Sequence, residues 1–293
     1  MNIAVVGDVI LDKYCEVSPR DNPENICPAY TIEGVSVRLG GAANTAMMLK
    51  QFGAEVKLFG CVGNDENGFE VKSVLARNHI QHFLITSILP TITKIRYTTD
   101  KYLFRVDDDY GCDINGDDRK KITRAISPQL FDAIVISDYA KGFMTKELVN
   151  DLKKLNIPIF VDTKPQNIDW YKDCFLIKVN RKEFIDIARS YNYNNVTRLF
   201  NTLESAVCDI AGKLNTLFVI TVGQHGIYYG DNRNFSEVIG IDVNCVDVTG
   251  AGDVVLAAIV FKYLETKKID VAINFANEMA AKSVTQKNTG LRL

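Results

Sequence analysis

From one end to the other, the chain alternates short apolar runs rich in β-branched residues with stretches of helical period. That rhythm constrains the fold more than any other feature. Residues 3–6, 56–61, 133–137, 157–161, 175–179 and 217–222 read as strands. Several are apolar throughout, as expected of strands covered by helices on both faces. Residues 42–52 read as a helix that starts directly after Gly40-Gly41. Ile269, Ala272, Ile273, Ala276, Met279, Ala280 and Val284 recur at three- and four-residue spacing and predict a final helix. Strands alternating with helices predict right-handed βαβ units and an α/β fold with a mostly parallel central sheet.

Two stretches break the rhythm. Residues 14–38 hold β-type residues with Pro19, Pro23 and Pro28 but no helical period. Residues 91–107 alternate, turn near Asp100 and alternate again, as a hairpin does. They predict a small sheet standing off the main body as a lid. With no internal repeat, low-complexity tract or Pro/Gly/Ser linker, residues 1–293 are expected to form one domain carrying that lid.

Composition excludes several classes. Lys and Arg total 34 against 36 Asp and Glu, a net charge of −2, which argues against a general nucleic-acid binder. The longest apolar run, 254–261, is too short to span a bilayer, and no secretory leader precedes residues 3–6. Seven scattered cysteines without a C-x-x-C pair read as reduced, mostly buried thiols of a cytoplasmic protein. Three histidines without H-E-x-x-H argue against a zinc enzyme.

The strongest chemical signal is Asp247-Val248-Thr249-Gly250-Ala251-Gly252-Asp253, followed by an apolar helix over 254–264. Glycines at a helix start let bare N–H groups approach an anion, and the helix dipole adds positive charge there. Asp253, in the first turn, is placed to take a proton from an attacking hydroxyl. By itself the same stretch also describes an ordinary capped helix start. Leu39-Gly40-Gly41-Ala42-Ala43-Asn44 permits close approach of a ligand with Asn44 as donor and acceptor, or else a tight turn. Gly7-Asp8 with Asp12, at the carboxyl end of the first strand, could accept hydrogen bonds from sugar hydroxyls or simply cap a turn. Polar groups then follow later strands at Ser137-Asp138-Tyr139, Asp162-Thr163-Lys164, Asn180-Arg181-Lys182-Glu183 and Thr221 to Gly226. Together they converge on one sheet edge. Lys94 and Arg96 share a strand face with Arg105 on the return strand, as a phosphate pocket or a basic edge that deters strand pairing. No G-x-x-x-x-G-K-[ST] is present.

Residues 40–44 and 247–253 together resemble the two signatures of the ribokinase-like (PfkB) family of carbohydrate kinases, and the likeness runs over the whole chain. It implies a central sheet flanked by helices, with a β lid over the sugar. Within the family the chain most resembles kinases acting on D-glycero-β-D-manno-heptose 7-phosphate, the kinase half of the bacterial ADP-heptose enzyme of lipopolysaccharide synthesis. The stretches carrying this are 7–14, Arg20 with Pro23-Glu24, 38–44, 94–96, 105–107, 137–142 and 180–184.

The resemblance assigns roles. Asp253 is the base, and the amides of Ala251, Gly252 and Asp253, with Gly250 before them, hold the developing phosphoryl charge. Asp12, Gly40, Gly41, Asn44 and Asp138 face the sugar, and Lys94, Arg96 and Arg105 its 7-phosphate. Lys164, Thr221, Gly223, Gly226 and Asn277 line the ATP cleft. Asn180 and Glu183 hold Mg²⁺ through water, and a monovalent cation beside Asp247 and Thr249 is left open. A homodimer through the lid is implied, with no nucleic-acid or membrane partner. The chain departs from the pattern at Asp162-Thr163-Lys164-Pro165, where Asp-Pro-Lys is usual, and at Asp108 and Asp109. Ending at Leu293, it is expected to act as a kinase without the nucleotidyltransferase half. The competing readings are a kinase of the same fold for ribose, fructose phosphate or a nucleoside, a non-catalytic sugar-phosphate sensor, and a structural subunit.

Overall fold

The structure is a computed structural model that describes residues 1–24, 27–193 and 200–286, the side chains of 200–202 excepted. Residues 25 and 26 of the first β excursion, and the end of the chain at 293, lie outside the described residues. The chain opens with β1 (Asn2–Gly7), turns at Asp8 into a hairpin of β2 (Val9–Arg20) and β3 (Ala29–Gly41), and enters α1 (Ala42–Gln51). Next come β4 (Glu55–Gly63), α2 (Glu66–Arg77), β5 (Gln81–Ser87) and a second hairpin, β6 (Thr93–Thr98) with β7 (Tyr102–Asp108). They are followed by α3 (Gly116–Ala125), β8 (Ala133–Ser137), α4 (Lys146–Lys153), β9 (Ile159–Asp162), a 3₁₀ segment (Pro165–Tyr171), β10 (Leu176–Asn180), α5 (Arg181–Ser190) and α6 (Phe200–Leu214). The last elements are β11 (Leu217–Thr221), β12 (Gly226–Gly230), β13 (Phe235–Ile239), α7 (Ala251–Thr266) and α8 (Ile269–Val284).

Among the described residues the main sheet has nine strands, ordered β13-β12-β11-β10-β9-β8-β1-β4-β5. From β5 to β11 neighbours run parallel; β12 pairs antiparallel with β11, and β13 antiparallel with β12. Side chains of a strand alternate between faces, and β1 shows the outcome. Ile3 and Val5 join α1, α2, α7 and α8 in one core layer. Ala4 and Val6 join α3, α4, α5 and α6 in the other. Both faces are thus covered, which is why the central strands carry no polar alternation. β9 starts at Ile159 rather than at 157, because Pro158 has no N–H to give the ladder. Among the described residues no helix is long and apolar enough to cross a membrane.

The two stretches that broke the rhythm form a second sheet of four strands among the described residues, ordered β3-β2-β6-β7. β2 and β3 are longer than expected, beginning at Val9 and running on to Gly41. Asp12 therefore lies inside a lid strand, paired with Lys94 in register, and not at the end of the first core strand. The chain leaves β1 early because Asp8 is anchored. Its carboxylate accepts the N–H groups of Tyr139 (2.8 Å), Lys141 (3.2 Å) and Phe143 (3.3 Å).

Candidate active site

Two helix starts from opposite ends of the chain meet at the carboxyl edge of the main sheet, under the lid. Gly250 precedes α7 with φ 77° and ψ 0°, a left-handed conformation that glycine adopts without a Cβ penalty. The loop before it is held by Asp247 Oδ1, which accepts the Thr249 N–H (2.9 Å) and hydroxyl (2.7 Å). The expected set of three anion-binding amides is reduced by one. The Ala251 N–H turns back to the Val248 carbonyl at 3.2 Å. The N–H groups of Gly252 and Asp253 have no carbonyl one turn earlier in the helix to bond, so they remain as donors at the positive end of its dipole.

Gly252 rests on a buried ion pair. A Cβ there would fall 2.7 Å from Lys178 Nζ, so the helix start can approach that ammonium only as glycine. Lys178 on β10 lies opposite Asp162 on β9 in the parallel register, and Nζ is 2.7 Å from Asp162 Oδ2. Burial pulls the Lys178 pKa down, but Asp162, with Glu183 and Asp253 nearby, more than offsets this and leaves it above the ordinary value. The lysine is therefore a fixed positive charge beneath the glycine turn.

Asp253 points from α7 towards α1 and is 4% exposed. Its Oδ2 accepts Asn44 Nδ2 at 2.6 Å, and its Oδ1 accepts the hydroxyls of Tyr139 (3.2 Å) and Thr45 (3.4 Å). Burial pushes the carboxyl up to about 6, opposed by the Asn44 hydrogen bond and reinforced by Asp162. A carboxylate of that basicity, aimed by donors on both oxygens, suits proton abstraction near neutral pH. Asn44 reaches it because Gly41, at φ 58°, starts α1 in the left-handed region. A Cβ on Gly41 would run into the Asp8 carbonyl oxygen, and one on Gly40 into the Asp12 carboxylate. Close backbone approach thus demands both glycines before any ligand is considered.

The lid contributes two ion pairs and, over the Tyr139 ring, a lysine outside any ion pair among the described residues. Arg96 pairs with Asp12, both largely buried, and Arg105 pairs with Asp107, Nε to Oδ1 at 2.7 Å. Lys94 makes no ion pair among the described residues. Its ammonium stands 5.1 Å from the centre of the Tyr139 ring. Burial lowers its pKa, and Asp12 works the other way. Asp138 is placed differently from expectation. Its Oδ2 accepts Thr163 (3.1 Å), Asn167 (2.9 Å) and Tyr171 (2.7 Å), and its Oδ1 accepts the Ala140 N–H (2.8 Å). A carboxylate so engaged braces the sheet edge, with remaining acceptor capacity only on Oδ1. Asp8 is enclosed in the same way, and burial, then Asp138, pushes its carboxyl up to about 6.

On the other side of Asp253, Lys164 Nζ is 2.5 Å from Glu183 Oε1 and 5.0 Å from the Tyr139 ring centre. Asn180 and Glu183 form a reciprocal cap on α5, with the Asn180 side chain accepting the Glu183 N–H (2.9 Å) and Glu183 Oε2 accepting the Asn180 N–H (2.8 Å). Among the described residues no group of three or more His, Cys, Asp or Glu side chains is arranged to hold a metal ion. Thr221 ends β11, with its hydroxyl 3.5 Å from the Val179 carbonyl. Gly223, at φ 63°, has nothing within 4 Å of a would-be Cβ and presents open backbone. Gly226 differs: a Cβ there would strike the Val238 carbonyl, so its glycine serves the β12–β13 pairing. Asn277 Nδ2 donates to the Ile239 carbonyl at 2.9 Å, tying α8 to the end of β13.

Two neighbours of the base, Lys178 and Thr45, carry no role in the sequence pattern, and Asp162 and Tyr139 appear there only among the polar residues after strands. Lys178 carried a usable signal, as the single charged residue in Leu176-Ile177-Lys178-Val179. A charge in a buried strand needs a partner. The facing of the other three is decided only by the fold.

A covered parallel sheet, a β lid and a buried carboxylate at a glycine-led helix start define a sugar kinase of the ribokinase-like fold. The chain belongs to the pfkB family of carbohydrate kinases, whose model matches residues 2–293. It is 32% identical over 300 residues to the bifunctional protein HldE of Marinomonas sp., covering 98% of this chain and 61% of that protein. HldE of Campylobacter curvus is 30% identical over 293 residues, covering 96% of this chain and 61% of that protein. The chain thus spans about three fifths of the length of these relatives. Among solved structures, phosphofructokinase-2 from Escherichia coli in complex with substrates and products superposes with a TM-score of 0.81 at 18% identity, covering all of this chain and 94% of that one. Ribokinase from Thermotoga maritima gives 0.75 at 18%, with 98% and 94% coverage.

Proposed function

We propose that this kinase transfers the γ-phosphate of ATP to the anomeric hydroxyl of D-glycero-β-D-manno-heptose 7-phosphate, giving the 1,7-bisphosphate. One observation carries the reading: the Asp253 carboxylate, buried and held on both oxygens, beside the free amides of the α7 start. Asp253 takes the hydroxyl proton as the oxygen attacks phosphorus. The Gly252 and Asp253 amides and the Lys178 charge beneath them stabilise the negative charge of the transferring group. Positioning and charge neutralisation suffice, so no covalent enzyme intermediate is needed.

The lid supplies recognition. Lys94, which makes no ion pair among the described residues and lies over the Tyr139 ring, meets the 7-phosphate, with Arg96 and Arg105 behind it. Asp12, Gly41 and Asn44 face the sugar. Lys164 and the open backbone at Gly223 lie on the ATP side, with Thr221 and Asn277. Asn180 and Glu183 would hold a hydrated Mg²⁺ only through its waters, because Asn180 Oδ1 and both Glu183 oxygens already accept the capping N–H groups and the Lys164 ammonium. Bound there, the ion would neutralise phosphate charge. A monovalent cation, if used, would lie beside Asp247 and Thr249.

The HldE relatives at about 30% identity support the heptose assignment. The test is ADP release from ATP with heptose 7-phosphate, fructose 6-phosphate, ribose and a nucleoside in parallel. Highest kcat/KM with heptose 7-phosphate supports it, and preference for another sugar replaces it. No ADP with any of them moves the sensor reading ahead.

A further inference from the structure

Tyr139 follows β8 and is set in place by its backbone. Its N–H and that of Lys141 both donate to Asp8 Oδ2, at 2.8 and 3.2 Å. Between them Ala140 takes φ 57°, a strained left-handed conformation for a residue with a Cβ. Such strain persists only where the surroundings over-determine the chain, and here it fixes the direction in which the Tyr139 side chain leaves. That direction leads to Asp253, where the phenol lies 3.2 Å from Oδ1 while Asn44 occupies Oδ2 at 2.6 Å. Thr45 also reaches Oδ1, but at 3.4 Å and with the Gly41 carbonyl at 3.5 Å competing for its single proton, so the phenol is the nearer donor on that oxygen, and donors on both oxygens fix the carboxylate plane. The ring of Tyr139 also lies under two ammonium groups, Lys94 from the lid at 5.1 Å and Lys164 from the end of β9 at 5.0 Å. A lysine over an aromatic face is attracted by the ring's quadrupole.

Resting on the reading of Asp253 as base, we infer that Tyr139 is its positioning residue: the phenol sets the plane of the carboxylate, and the ring seats the two lysines that face the sugar and the nucleotide. The phenol can only donate here. Burial, then the charges of Asp253 and Asp162, hold its pKa well above the usual tyrosine value, so its proton stays on. A donor to the ionised carboxylate favours that form and so counters burial. The charged groups facing this pair are Asp162 and Lys178 from the sheet, Asp12 and Lys94 from the lid, and Lys164; α1 adds the neutral Asn44 and Thr45.

The phenol and the ring can be separated. Tyr139→Phe keeps the ring and removes the donor. The expected result is a roughly tenfold lower kcat with both KM values within about twofold. The acid limb of the pH–kcat/KM profile should also move to higher pH, because loss of a donor raises the carboxyl pKa. Tyr139→Leu, which removes the ring as well, should in addition raise KM for sugar phosphate and for ATP severalfold. A residue that only fills space would leave the acid limb where it is. Wild-type kcat and an unmoved limb in Tyr139→Phe, in an enzyme that Asp253→Asn inactivates, overturns the inference and leaves the base in place. Full turnover by Asp253→Asn overturns both. Should Tyr139→Phe fail to fold, Tyr139→Leu read by the same limb decides.

Discussion

At the scale of single residues, Asp253 carries the largest expected effects. Asp253→Asn keeps shape and side-chain polarity and removes the base, so kcat should fall by about 10²–10⁴-fold while calorimetry still shows sugar and ATP binding. Stability should move the other way. A carboxyl at about 6 in the fold, against 3.8 as reference, holds more protons folded than unfolded between those values. Folding stability is therefore lost as pH rises through that window and is flat above it. A shift of that size corresponds to about 3 kcal/mol. The Asn variant should then melt higher than wild type at pH 7.5, with the gap closing towards pH 4.5. An equal melting temperature at both pH values would deny the buried charge. Asp253 and Asn44 were legible because each is a polar side chain fixed to a glycine-led helix start. Asp8 takes the turn-capping one of its two readings, and the pattern could not choose, since a carboxylate after a strand looks alike whether it faces a ligand or its own backbone, as Asp138 also shows.

At the scale of elements, the two lid hairpins showed in the sequence, but their pairing did not. That β2 lies beside β6, joining Asp12 to Arg96, requires two hairpins separated by an entire βαβ unit to meet. The pairing divides the basic residues. Lys94→Ala should lower kcat/KM for the phosphorylated sugar by about tenfold or more, with much less change for an unphosphorylated analogue and for the ATP KM. Arg96→Ala should harm both sugars and lower the melting temperature, because it leaves the Asp12 carboxylate buried without a partner. Equal losses for both sugars in Lys94→Ala would remove Lys94 from the phosphate site. Gly226 and Asn277 teach the same lesson: both read as nucleotide contacts, and both are engaged by β13.

At the scale of the whole molecule, the parallel core was legible because strands covered on both faces must be apolar throughout. Its edges were not: β5 is mostly exposed or half-exposed, and β12 and β13 alternate weakly. The lid leaves Ile32, Val35, Phe104 and Val106 exposed. Apolar side chains of this size on one small sheet suit a partner surface, and the resemblance implied pairing through residues 14–38 and 91–107. Light scattering at micromolar concentration should give a dimer, and Phe104→Asp with Val106→Lys should give a monomer. A monomeric wild type, with and without ligands, would end that reading.

At the root of the first lid hairpin the Ala42 N–H donates to the Asp8 carbonyl at 2.9 Å. Beside it Gly41 begins α1, and Asp8 holds the backbone of Tyr139. The hairpin thus shares its mounting with two of the three donors on Asp253, Asn44 through the start of α1 and Tyr139 through its backbone. Asp8 is in this sense a keystone: the cover of the sugar and the aim of the base stand on one residue.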